Sequence, residues 1–122
     1  MDGWWKKNPF FVEYVIHEST ALFVLAYAVT LFVGLIRLSQ GQAAWDAWLV
    51  AMQSPLALVF HLVLLVAIAY HTYTWFKIMP ITLPPIRMGG EKLSPCAIIT
   101  GGLTAAVVAG LALIALVWRI AA

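Results

Sequence analysis

The chain has 122 residues, 64% hydrophobic and only 10% charged, with a mean hydropathy of +0.96. A soluble domain carries about 25% charged residues, so the composition excludes an ordinary soluble domain and any attached soluble catalytic module. The formal charge of +2 comes from seven basic and five acidic side chains placed singly or in pairs. That leaves no basic stripe and excludes nucleic acid as a partner. The single cysteine, Cys96, allows neither an internal disulfide nor a multi-cysteine metal site, and reads as a small helix-packing residue.

The first apolar stretch follows Lys6 and Lys7 and contains Ala26-Tyr27-Ala28, the layout of a signal peptide and its cleavage site. It is read instead as a retained span. Glu13, His17 and Glu18 interrupt its start, and the run from Ser19 to Ile36, about 18 residues, is long enough to cross a hydrocarbon core. Asn8-Pro9 opens the span, a capping side chain followed by a proline that fits the first helical turn, and Ser54-Pro55 and Ser94-Pro95 repeat the device. The sequence thus predicts an all-α membrane protein, a single domain over 1–122 with three transmembrane helices at about 9–38, 55–76 and 95–118. The first is longer than a bilayer requires, so its opening turns, Phe10 to His17, are placed in the interface.

Between the first two spans, Ser39 to Gln53 carries Trp45, Asp46 and Trp48 and is expected to include a short interfacial helix. Between the last two, Ile78 to Leu93 holds Pro80, Pro84, Pro85, Gly89 and Gly90, which predicts an ordered, extended connection and not a regular helix. The third span places Gly102, Ala106 and Gly110 at four-residue intervals, a face that another helix can approach closely. Three helices bury little of one another, so a further transmembrane partner is expected.

Basic residues favour cytoplasmic loops. With the N-terminus cytoplasmic and the C-terminus periplasmic, Lys6, Lys7, Lys77, Arg87 and Lys92 lie inside, against Arg37 and Arg119 outside. In that orientation Trp4, Trp5 and Trp75 mark the inner interface and Trp45, Trp48 and Trp118 the outer one.

An ionisable side chain at membrane depth costs energy to insert and is a functional candidate. His17 and Glu18 near the start of the first span, and His61 and His71 on the second, meet that description. The first helix enters from the side to which the second returns, so Glu18 and His71 are expected at similar depth. Trp75 stands one turn nearer water on the face of His71. A carboxyl, an imidazole and an indole would frame a half-wet pocket suited to an amphiphile with a polar ring and an apolar tail. The carboxyl could exchange protons there, and the imidazole and indole could hydrogen-bond the ring. A bland alternative has Glu18 facing headgroups and His71 reaching toward water. His61 and His71, ten residues apart on one helix, are about 15 Å apart along its axis and cannot share one haem iron.

Trp4-Trp5-Lys6-Lys7 before Pro9-Phe10, Glu18 with Thr20-Ala21, Phe32 with Gly34-Leu35, and His71-Thr72-x-Thr74-Trp75-Phe76 together resemble the C subunit of the heme-free, two-anchor type of bacterial fumarate reductase. The resemblance runs from Trp4 into the third span. It implies a multi-pass subunit of the bacterial inner membrane and of a four-subunit complex. A flavoprotein with FAD, an iron-sulfur subunit with its clusters and a second three-helix anchor would be its partners in the bilayer. It further implies a menaquinol oxidation site, with Glu18 as the proton-transferring residue and His71 and Trp75 beside it. On this implication the chain is not an enzyme by itself. Two departures stand out. His17 occupies the place of a family arginine that would share the site, and His61 stands where an uncharged polar residue is expected. No haem is expected, and His61 is the residue that one would use. The alternatives are a haem-binding anchor of a succinate dehydrogenase and a small proton-coupled multidrug exporter, which would need four spans.

Overall fold

The computed structural model describes residues 2–121 apart from the Trp5 side chain, so the interfacial position expected of that indole lies outside the described residues. A 3-10 turn (Trp4–Lys6) leads into helix α1 (Pro9–Ser39), followed by α2 (Gln42–Met52) and α3 (Pro55–Thr82). Strands β1 (Arg87–Met88) and β2 (Glu91–Lys92) form a hairpin before α4 (Pro95–Ala121). Helices α1, α3 and α4, of 31, 28 and 27 residues, are long and apolar enough to cross a membrane. The all-α, three-span architecture expected from the sequence is the one observed.

The three capping sites work alike. Asn8 Oδ1 accepts from the Phe10 N–H at 3.0 Å, Ser54 Oγ from Ala57 N–H at 3.3 Å, and Ser94 Oγ from Ala97 N–H at 3.2 Å. Each satisfies an orphan donor of a first turn whose proline has no N–H to satisfy.

The chain divides into two compact units, Met1–Thr72 and Tyr73–Ala122. In the first, α1 runs past the apolar stretch and α2 folds back on it. The Trp48 ring lies so close to Gly34 that a Cβ there would stand 2.9 Å from Cζ2. Trp48 also stacks on Trp45, with centroids 5.0 Å apart. This is the short helix expected between the first two spans, and it meets α1 through the Trp48 indole.

In the second unit, α3 continues beyond Phe76, where the sequence predicted its end, to Thr82. Pro80 lies inside it. A proline this near a helix end forfeits a single backbone bond, and nothing else in Lys77 to Thr82 stops the helix. Pro84-Pro85 does, because a residue before proline is driven toward extended backbone. The hairpin that follows pairs Arg87 with Lys92 and Met88 with Glu91. Gly89 and Gly90 both have positive φ, 62° and 88°, as the two central positions of a type I′ hairpin turn require. The expected extended connection is thus a β-hairpin. On α4, Gly102 packs against Phe76, and a Cβ would come within 2.6 Å of its ring. Gly101 and Gly110 have no such neighbour, so of the glycines on this helix it is Gly102 that is used within the unit. The side chains described from Val107 onward are exposed.

Burial is inverted relative to a soluble protein. Among the described residues Leu64 is the buried hydrophobic side chain, while His17, Thr20 and Thr74 are buried polar ones. In lipid, apolar groups gain little from being covered, whereas polar groups must find partners.

Candidate functional site

The polar cluster of the first unit is built from two helices. His17 and Thr20 are three residues apart on α1 and therefore share a face. Thr20 Oγ1 lies 2.5 Å from the His17 carbonyl oxygen, to which it donates, and 2.8 Å from His71 Nδ1 on α3. The rings of His17 and His71 stack nearly parallel, 7° apart in plane with centroids at 4.8 Å. Of the residues singled out in the sequence, the structure brings together His17 and His71, on opposite helices and at one level. Thr20, quoted only as part of a motif, is the side chain that joins them. Its signal was the spacing to His17 and the hydroxyl. Glu18 follows His17 and so points about 100° round the helix from it. It is exposed on this chain.

Beside the cluster an apolar cavity of about 560 Å³ opens between α1 and α3, lined by Ile16, Thr20, Leu62, Val66 and Tyr70 among others. A polar patch at one end of an apolar trough can orient a ring and accept a hydrocarbon chain.

Trp75 belongs to the second unit and is half exposed. Thr74, its neighbour, is buried. His61 has a different environment. Its Nδ1 is 2.7 Å from the Ala57 carbonyl one turn back on its own helix, so the ring donates there. Tyr27 and Phe60 meet the ring edge-on. It lines a separate cavity of about 380 Å³ with Tyr27, Leu64, Leu65 and Ile68. Among the described residues no three His, Cys, Asp or Glu side chains are grouped to hold a metal ion. His61 could supply one axial nitrogen to a haem, but a second ligand would have to come from elsewhere.

Residues 1–118 match the family model for the C subunit of fumarate reductase. The chain is 35% identical over 117 residues to the fumarate reductase C subunit of Enterobacter sp. (strain 638), covering 94% of this chain and 88% of that one. It is 38% identical over 90 residues to the corresponding protein of Aliivibrio fischeri (strain MJ11), covering 74% and 70% of the two chains. Against that of Vibrio cholerae serotype O1 (strain ATCC 39541 / Classical Ogawa 395 / O395) the identity is 40% over 88 residues, covering 72% and 68%. With three membrane-crossing helices and a match over nearly its whole length, the chain belongs to the family of fumarate reductase C subunits, as a multi-pass protein of the bacterial inner membrane.

Proposed function

We propose that this chain anchors a fumarate reductase to the membrane, together with a second three-helix anchor, and forms part of the site at which menaquinol is oxidised. The iron-sulfur subunit would take the electrons and pass them to the flavoprotein, where FAD reduces fumarate. In this reading the N-terminus and the α3 end lie on the cytoplasmic side, where those two subunits dock.

The observation that carries the proposal is the 2.8 Å contact between Thr20 and His71. It supports the convergence of the two motifs, the start of α1 and the end of α3, on one level of the membrane. Ligand chemistry fits the donor set. A quinol presents hydroxyl groups on a ring with an apolar tail, and the cluster offers imidazole nitrogens and a hydroxyl beside an apolar trough. When bound, the quinol supplies two electrons and two protons. His71 accepts a hydrogen bond from one ring hydroxyl and orients it. Glu18, exposed on this chain, faces the surface where a partner subunit would close the site, and accepts the two protons in turn, releasing the first to water before it takes the second. His17, in the place of a family arginine, stacks on His71 and fixes the plane of its ring.

The test is menaquinol-driven fumarate reduction in membranes carrying Glu18→Gln, divided by the rate with a soluble dye that bypasses the anchor. The substitution keeps size and removes the proton-accepting oxygen. We expect the ratio to fall about 100-fold, the lower range for loss of a general base. An unchanged ratio would show Glu18 to be an interfacial acid and would sink the mechanism.

A further inference from the structure

A threonine hydroxyl carries one hydrogen and a backbone carbonyl can only accept. Thr20 spends its hydrogen on the His17 carbonyl, 2.5 Å away. At the 2.8 Å contact with His71 Nδ1 it can therefore only accept, so Nδ1 must carry the hydrogen. We infer that Thr20 is a positioning residue that holds His71 as the Nδ1–H tautomer, so that the neutral ring is a hydrogen-bond acceptor at Nε2.

The device is rigid at each joint. Thr20 is buried at 8% exposure, as is His17, and its hydroxyl is fixed by its own helix. The ring of His71 is held in plane by the His17 ring stacked on it. Its angle about that stack is then set by the bond from Nδ1. An acceptor at Nε2 discriminates chemically: a hydroquinone hydroxyl can donate to it, whereas a quinone carbonyl cannot. The tautomer would thus make the site select the reduced ring, which is the form to be oxidised. That consequence rests on the quinol reading given above; the tautomer itself does not.

Both can be measured separately. The full chain, labelled with ¹⁵N-histidine and placed in lipid nanodiscs, gives the protonation of each ring nitrogen from its ¹⁵N shift, with His71 assigned by comparison with His71→Gln. His71 is expected as Nδ1–H in the unmodified chain and in Thr20→Ser, which keeps the hydroxyl. In Thr20→Val, which keeps shape and removes the acceptor, Nε2–H should become populated. Retention of pure Nδ1–H in Thr20→Val overturns the inference, as does an Nε2–H ring in the unmodified chain. In membranes carrying the assembled complex, the quinol-to-dye rate ratio should drop about 5- to 10-fold in Thr20→Val, the worth of one hydrogen bond, and recover in Thr20→Ser. If the tautomer changes while the ratio does not, the positioning role stands and it is the quinol reading of His71 that falls.

Discussion

Two of the places where helix α1 meets a neighbouring element are held by opposite means. Near one end Thr20 and His17 meet His71 through a hydrogen bond and a ring stack. Toward the other, Gly34 admits the face of Trp48 with no polar group taking part. Hydrogen bonds between membrane helices average only about 0.6 kcal/mol, because the separated helices find other partners. Forcing an atom into a filled contact costs about 1–3 kcal/mol. The apolar contact is therefore the one that tolerates substitution least. The polar one stabilises too little to explain why two imidazoles stand inside a membrane segment, and its value lies in chemistry.

Substitutions at the two places should separate these roles. His71→Phe keeps a ring but no nitrogen, and is expected to lower the quinol-to-dye rate ratio about 100-fold, while the unfolding free energy of the chain changes by about 0.6 kcal/mol. Gly34→Val should do the reverse. A Cβ at that position already lies 2.9 Å from the Trp48 ring, so the chain should lose about 1–3 kcal/mol, read from the fluorescence of its indoles during denaturant titration in micelles, with the rate ratio unchanged. If both variants lost activity and stability together, the two contacts would be parts of one cooperative fold and the contrast would be lost.

Much of this was legible in the sequence. Asn8, Ser54 and Ser94 announced the helix starts, because a capping oxygen followed by proline is a local device that needs no tertiary context. Counting depth from the ends of the spans put Glu18, the neighbour of His17, level with His71. What could not be read was the direction each residue faces. A lipid-bathed helix is apolar all round, so no stripe tells which side meets a neighbour, and His17 and Glu18 could not be told apart by periodicity. The structure turns His17 inward and leaves Glu18 exposed. Pro80 read as a breaker because the sequence does not show how close it lies to the helix end. The hairpin strands, two residues each, are too short to show any alternation.

His61 sharpens the comparison, since it lies on the same helix as His71 and makes the same kind of Nδ1 bond, but to its own backbone at Ala57. A ring whose Nδ1 is satisfied within its own helix meets α1 through the edge of Tyr27, with no hydrogen bond from it to that helix among the described residues. His61→Phe should leave the quinol-to-dye ratio within about twofold, the scale of a change outside a site. A larger loss would mean that the cavity it lines with Tyr27 belongs to the path of the quinol.

The smallest effect is expected at Thr30, which on α1 is the counterpart of Thr20 without the second contact. Its hydroxyl donates to the Ala26 carbonyl at 2.8 Å, one turn back, as that of Thr20 does to His17, but its bonding ends there. Such back-bonding contributes little to a helix and can even bend it slightly. Thr30→Val should therefore shift the stability of the chain by less than about 0.5 kcal/mol and leave the rate ratio unchanged. Compared with Thr20→Val, it isolates what the bridge to His71 adds, since both variants remove one hydroxyl and one intrahelical bond from the same helix. Equal losses in the two would mean that α1 needs its hydroxyls to hold its own course, and the cross-helix bond would have no role of its own.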